Sequence, residues 1–332
     1  MVPREPTKEG QENPWRRPPR PLVPSRIEAI ALAVILLVAG LVAIPMYLPG
    51  LLWRPQSIAI PTDYRPDRAN GAYLSQIAGC SYCHTAAAAN SEPLAGGRRV
   101  RTPFGTLHAP NVTPRRDAGI GGWSNRQFIV ALRYGLSPAG DHYYPAFPYP
   151  AYAGMAITDI LDLKTYLDGV APSGQRAVNS ALAFPFSIRG GVGLWKLLYF
   201  RPQPERTYPP WQGVERGRYL AGAVAHCGEC HTPRTMLGGL IQERWMAGTG
   251  AADFNADVPN ITPHRDGIGA WSRAALIQFL ETGVRPDGRR TAGEMAHVIE
   301  EMTRPLSAAD RAAMADYLLS LPPRCCRGSG GN

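Results

Sequence analysis

From Ala29 to Trp53 the chain carries no charged residue, and Ala29 to Ile44 is almost wholly aliphatic. Twenty-five helical residues at about 1.5 Å each extend roughly 37 Å, enough to cross a hydrocarbon core of about 30 Å. The pattern predicts one transmembrane helix over residues 29–53. Pro45 and Pro49 should kink or end it, and Tyr47 and Trp53 suit the headgroup interface. A cleaved signal peptide would have a shorter apolar region and a small-x-small cleavage site. Residues 44–49 offer no such site. Arg4, Lys8, Arg16, Arg17, Arg20 and Arg26 precede the span and favour a cytoplasmic N-terminus. Residues 1–28, rich in proline and charge, read as a disordered cytoplasmic tail. Everything after the span is then expected outside the cytoplasm.

Beyond the span, apolar positions recur at helical spacing over Asn125–Tyr134 and Arg273–Thr282, with Ser124 and Ser272 placed as N-caps. Further helices are predicted near Thr158–Leu167 and Ser307–Leu318. These elements come in pairs. Ala109-Pro-Asn-Val-Thr-Pro recurs as Val258-Pro-Asn-Ile-Thr-Pro, and Trp123-Ser124 recurs as Trp271-Ser272, 148 residues later. The repeat predicts two related, mostly α-helical domains, 62–170 and 212–322. Residues 171–211 are too apolar for a free linker and read as packing across the domain interface. Contact with a partner or the membrane surface is the alternative. A short flexible tail, 323–332, closes the chain.

A length of 332 residues suits two domains, each with a thin core of its own. The net charge is +9, with arginine far ahead of lysine. No basic run is interleaved with aromatics, so no nucleic-acid partner is expected. Of six cysteines, four sit in two short motifs. Cys325 and Cys326 lie in the tail, with a docking or redox role set against none. No framework of structural disulfides is implied.

The motifs are Cys80-Ser-Tyr-Cys83-His84 and Cys227-Gly-Glu-Cys230-His231, 147 residues apart. Cys-x-x-Cys-His reads as a c-type haem attachment site. The two thiols add across the haem vinyl groups, and the adjacent histidine reaches the iron. A redox dithiol or half a zinc site is the alternative. Two copies, each followed by the same downstream residues, argue against it. Cys80, Cys83, Cys227 and Cys230 are therefore expected to hold two covalent haems, with His84 and His231 on the irons. Each histidine should donate its other ring N–H to a backbone carbonyl.

An electron-carrying iron needs a second axial ligand, and methionine is the common choice in cytochromes c. The first domain contains one methionine, Met155, expected on haem 1 with His108 and His142 as competitors. The second offers Met236, Met246, Met295, Met302 and Met314. Met236 is too near His231, and Met314 sits in the closing helix. Met295 lies in a Gly293-Glu-Met loop that suits a ligand. Met302 follows Trp271 by 31 residues, close to the 32 from Trp123 to Met155, so repeat spacing alone favours Met302.

The Asn-x-Thr-Pro and Gly-Ile-Gly-x-Trp-Ser stretches, Tyr144-Pro-Ala-Phe-Pro-Tyr149 and Cys227-Gly-Glu-Cys-His-Thr-Pro-Arg234 carry a resemblance. Residues 64–321 resemble the c-type cytochrome subunits of bacterial membrane-bound dehydrogenases of the alcohol and gluconate types. The resemblance implies a mostly α fold of two tandem class I-like cytochrome c domains after one N-terminal transmembrane helix. It places Met295, at the end of its Gly-x-Met loop, ahead of Met302 on haem 2. Many members have methionine where this chain has Phe147, and members commonly carry three haems where this chain has two motifs. Asn111, Thr113, Trp123 and their counterparts Asn260, Thr262 and Trp271 are candidate haem-propionate contacts, or hold a loop. Arg101 and Arg234 are further propionate candidates, since guanidinium suits carboxylate.

The expected function is a membrane-anchored dihaem cytochrome c, with its haem domains in the periplasm of a bacterial inner membrane. Electrons would come from a dehydrogenase catalytic subunit or a larger respiratory complex. They would pass to a quinone, a soluble cytochrome or an oxidase. Membrane lipid surrounds the anchor. No nucleotide loop, flavin motif or catalytic triad is apparent, so substrate oxidation would fall to another subunit. The alternative is a haem enzyme, a dihaem peroxidase or a thiosulfate-oxidising cytochrome.

Overall fold

The computed structural model describes residues 25–53, 55, 57–178, 180–249 and 258–325. The expected N-terminal tail before residue 25, and Cys326 with the rest of the C-terminal tail, lie outside them. The chain divides into two units, Met1–Ala43 and Ile44–Asn332.

Helix α1 (Arg26–Tyr47) is long and apolar enough to cross a membrane, with a mean hydropathy of 2.8. Ser25 and Glu28 start it, each backbone N–H donating to the other's side chain. Its leucines, isoleucines and valines are exposed among the described residues. The helix is shorter than the uncharged run. It passes through Pro45 and stops at Tyr47, because Leu48 precedes Pro49 and is pushed out of helical conformation. Pro49 then opens the short helix α2 (Pro49–Leu52).

In the second unit, α3 (Arg68–Ile77) starts at Asp67, whose carboxylate accepts from the N–H of Ala69 and Asn70. The turn α4 (Cys80–His84) follows. Strands β1 (Arg99–Thr102) and β2 (Gly105–His108) form an antiparallel hairpin with Arg99 opposite His108. Helix α5 (Asn125–Tyr134) carries a capping box of Ser124 and Gln127 and ends at the left-handed Gly135. After α6 (Tyr149–Tyr152), α7 (Ile157–Asp168) closes the first repeat. The second repeat runs through α9 (Gly213–Tyr219), α10 (Gly228–His231), α11 (Arg273–Thr282), α12 (Glu294–Val298) and α13 (Ala308–Ser320). Ser272 caps α11 as expected of it, and Ser307 caps α13.

Each repeat crosses its first helix against its last through a glycine. A Cβ on Gly71 would collide with the Asp162 carbonyl, and one on Gly217 with that of Ala313. Only hydrogen lets these backbones approach so closely.

The repeats also interlock. Tyr73 donates to Asp310 at 2.7 Å, and Tyr219 donates to Asp159 at 2.6 Å. Each tyrosine comes from one repeat and each aspartate from the closing helix of the other, a reciprocal pair about a pseudo-two-fold. One apolar cluster runs from Leu74, Ile77 and Ile160 to Leu220, Met314 and Leu318 without a break.

The segment between the repeats is ordered against them. Strand β3 (Ala181–Leu182) joins the hairpin, and α8 (Gly191–Tyr199) follows it. The Trp195 indole donates to the Leu237 carbonyl of the second repeat at 3.0 Å. Phe200 packs with Trp53, at the end of α2, and with Tyr149 of the first repeat. Lys196 is fully buried and donates to the carbonyls of Tyr134 and Gly135 at the end of α5. Burial brings its pKa down to about 7.

Candidate functional site

Each Cys-x-x-Cys-His forms a single helical turn, on α4 and α10, ending in its histidine. The Nδ1 of His84 lies 2.7 Å from the Pro110 carbonyl oxygen, and that of His231 lies 2.8 Å from Pro259. A carbonyl only accepts, so Nδ1 carries the proton and Nε2 keeps its lone pair. Burial lowers both imidazole pKa values, against the carbonyl bond, which raises them. At neutral pH both rings are uncharged, with Nε2 able to bind a metal. The accepting carbonyls sit in the two Pro-Asn-x-Thr loops, 26 and 28 residues after their histidines.

Those loops are held tightly. Asn111 accepts from the N–H and hydroxyl of Thr113, and its amide donates to Ser173 and Gln175 carbonyls. Asn260 and Thr262 repeat this against the carbonyl of Arg324. Gly96 and Gly248 bring each histidine's own carbonyl into the arrangement by donating to it. Both have positive φ, and a Cβ on either would fall 2.6 Å from the backbone N of Asn111 or Asn260. The polar atoms of Asn111, Thr113, Asn260 and Thr262 are thus committed to fixing the loops. Of the two roles given to them, loop-holding is the one these hydrogen bonds support. Trp123 and Trp271 are half-buried against the shared core beside Cys80 and Cys227.

Burial pushes the Cys80 thiol up to about 11 and that of Cys227 up to about 12, and raises Cys83 and Cys230 as well. None has the depressed pKa of a redox dithiol. Two neutral thiols and a neutral imidazole on one turn, with its free nitrogen opposite a carbonyl-fixed one, fit a haem joined through both cysteines. Arg234 is held in the second motif by Glu229 at 2.6 Å, and Arg101 lies exposed on β1.

The two turns are neighbours. The Nε2 of His226, just before the second motif, lies 3.3 Å from the carbonyl oxygen of Ala78, two residues before the first. The Tyr82 hydroxyl donates to the Glu294 carboxylate. Arg98 stacks on the Tyr82 ring at 3.9 Å, and the His297 ring lies 6.1 Å away. Tyr82 belongs to the first motif, while Glu294 precedes Met295. Nothing in the sequence joined them.

The candidate axial methionines occupy different settings. After α5 and α11, identical backbone pairs form: Tyr143 N–H to Gly135, and Thr291 N–H to Gly283. Leu136 bridges His142 just as Val284 bridges Arg290. Four residues beyond these matched points stand Phe147 and Met295. Met295 is half-buried near the start of α12. Met302 is buried elsewhere, its sulfur 3.1 Å from where a Cβ on Gly79 would lie, beneath the first motif. Met155 is fully buried in the core that Cys80, Trp123 and Phe147 pack against, and its carbonyl accepts from Arg133 at 2.5 Å. His142 is taken up by Pro45, its Nε2 2.9 Å from that carbonyl, and burial takes its pKa down to about 4 with help from the Lys196 charge. His108 sits at the end of β2.

No family model matches the chain. A dihaem cytochrome c-type protein of Cereibacter sphaeroides is 41% identical over 261 residues, which are 77% of this chain and 86% of that one. The fructose dehydrogenase cytochrome subunit of Gluconobacter japonicus is 36% identical over 305 residues, 90% of this chain and 60% of that one. The gluconate 2-dehydrogenase cytochrome c subunit of Pantoea cypripedii is 37% identical over 265 residues, 76% of this chain and 58% of that one. The match thus spans less than two thirds of these two dehydrogenase subunits and most of the dihaem protein. The chain belongs to the family of c-type cytochromes formed by these proteins, whose members carry covalently bound haem.

Proposed function

We propose that the chain is a membrane-anchored dihaem cytochrome c that relays electrons between a dehydrogenase catalytic subunit and a further acceptor, a quinone, soluble cytochrome or oxidase. α1 is its anchor, with the N-terminus cytoplasmic and the rest periplasmic. Residues 62–170 and 212–322 are its two class I-like cytochrome c domains. The observation that carries the reading is the pair of adjacent Cys-x-x-Cys-His turns, each with its histidine Nδ1–H bound to a proline carbonyl. Cys80 and Cys83 hold one haem, Cys227 and Cys230 the other, and His84 and His231 present Nε2 to the irons.

When bound, haem supplies a one-electron couple in which no bond is made or broken. The chain's own work is to hold the ligands still and keep the sites dry. The loops around Asn111 and Asn260 fix the histidine rings, and the shared core excludes water. Placing two motifs side by side shortens the path between them. Met295 is proposed as the second ligand of haem 2 and Met155 that of haem 1. Trp123 and Trp271 are proposed propionate contacts, with Arg101 and Arg234. The relatives named as dehydrogenase cytochrome subunits support a dehydrogenase as donor.

Spectroscopy of the purified full-length protein tests this. Two low-spin haems per chain, each with a methionine–iron charge-transfer band, are expected. Met295→Ala and Met155→Ala should each abolish one band. Phe147, standing where Met295 stands in the other repeat, favours keeping the haem-enzyme reading in the same test. A high-spin ferric haem that binds peroxide would overturn the relay.

A further inference from the structure

The C-terminal segment that carries Cys325 is fastened to the second Pro-Asn-x-Thr loop. The Arg324 N–H donates to the Thr262 hydroxyl at 3.1 Å, and its carbonyl accepts from the Asn260 amide at 2.6 Å. That attachment places Cys325 against His264 and Asp266, which follow the loop. A ligand atom from each, thiol sulfur, imidazole nitrogen and carboxylate oxygen, lies within 4.8 Å of the other two. His264 is half-buried and its ring is steered by Asp266, whose N–H donates to Nδ1 at 3.2 Å. Cys325 and Asp266 are exposed, so their side chains are free to turn inward.

The first repeat supplies a control within the same molecule. Its segment after the closing helix is fastened in the same way, with Ser173 N–H donating to the Thr113 hydroxyl and the Ser173 carbonyl accepting from Asn111. In the places of His264, Asp266 and Cys325 it has Arg115, Asp117 and Gly174. Arg115 and Asp117 form an exposed ion pair at 2.5 Å, and among the described residues no metal-ligand cluster forms there. The same backbone frame thus carries three metal-ligand side chains in one copy and one in the other.

We propose that His264, Asp266 and Cys325 form a binding site for a borderline-soft divalent cation, zinc in the first instance. Sulfur, nitrogen and oxygen together select zinc over calcium or magnesium, which take oxygen alone. Zinc bonds of about 2.0–2.3 Å require the three ligand atoms to draw together slightly, a movement that exposed side chains can make. Three protein ligands leave a fourth position for water or another donor. The ion would pin the end of the chain to the loop whose Pro259 carbonyl orients His231. This site is separate from the haem motifs and does not depend on their assignment.

The test uses the full-length, haem-loaded protein with Cys326→Ser as background, so that Cys325 is the only thiol outside the two motifs. After equilibration with zinc and removal of free metal, mass spectrometry should find about one zinc per chain. Cys325→Ser and His264→Ala should each lower the retained zinc at least tenfold with the haem spectrum unchanged. Zinc should also slow iodoacetamide labelling of Cys325 about tenfold. Installing Arg115→His with Gly174→Cys in the first repeat, where a Cβ on Gly174 meets nothing, should raise the zinc to about two per chain. Equal retention in the Cys325→Ser variant, no zinc in the background protein, or unslowed labelling would overturn the proposal.

Discussion

The two repeats share one frame and differ in what surrounds a matched aspartate and in what fills a matched loop. In the second, Asp310 on α13 takes a bidentate pair from Arg216, both bonds at 2.8 Å, with Tyr73 as a third donor. In the first, the corresponding Asp159 has only neutral donors, the Asn70 amide and the Tyr219 hydroxyl. Burial raises both carboxyl pKa values. At Asp310 the Arg216 and Tyr73 bonds and the Arg216 charge outweigh it and bring the pKa below the usual range. At Asp159 burial wins and the pKa stays raised. A duplicated position can thus keep its geometry while its donors move its pKa in opposite directions. The loop after α5 and α11 has diverged likewise, with Met295 in one copy and Phe147 in the other.

The largest effect should come from making the ligand loops alike. Phe147→Met puts methionine at the register of Met295. In combination with Met155→Ala it should restore a low-spin methionine-ligated haem 1, read from the charge-transfer band. If Met155→Ala alone leaves both bands in place, Met155 is a core residue and the two loops differ more than proposed. Closing the helix crossings comes next. Gly71→Val and Gly217→Val should each cost about 3 kcal/mol or more, because side-chain atoms would be forced against a backbone carbonyl. Denaturant titration measures this, and a cost in one repeat only would break their equivalence.

Removing the donors of the paired aspartates separates the copies further. Arg216→Ala should cost about 3 kcal/mol, since it strands a largely buried carboxylate. Asn70→Ala should cost about 1 kcal/mol, as loss of neutral hydrogen bonds does. Equal costs would mean that the charge difference is energetically idle. The smallest effect is on pH dependence. The lowered pKa of Asp310 contributes stability that is present above about 3.8 and lost as pH falls through the folded value. The raised pKa of Asp159 contributes stability that is present below about 3.8 and lost as pH rises through its folded value. Stability curves of Asp310→Asn and Asp159→Asn should therefore depart from the parent protein with opposite slopes.

Local features were legible in the sequence and long-range ones were not. The bounds of α5 and α11 follow from helical spacing and a serine cap, both of which act within one turn. The haem motifs are contiguous and read directly. The hairpin Arg99–His108 was missed because its side chains, basic and partly exposed, show no buried alternation. The partners of His84 and His231 were expected as carbonyls, but only the fold could bring Pro110 and Pro259 to them. The count from tryptophan reaches Met302 across extra residues that the second repeat has between Met295 and α13. Counting across that insertion lands on a methionine packed under Gly79. The contact of Tyr82 with Glu294 crosses 212 positions, a separation that no local pattern encodes.

The exchange of Tyr73 and Tyr219 bears on how the molecule can be divided. Each tyrosine ends on an aspartate that the other repeat supplies, and the core beneath them has no seam. A half-length chain would lose its hydrogen-bond partner and expose the apolar face that its twin covers. Residues 44–325 should therefore melt as one cooperative calorimetric transition rather than two. Duplication made two copies, and the interface has since made neither copy dispensable to the other.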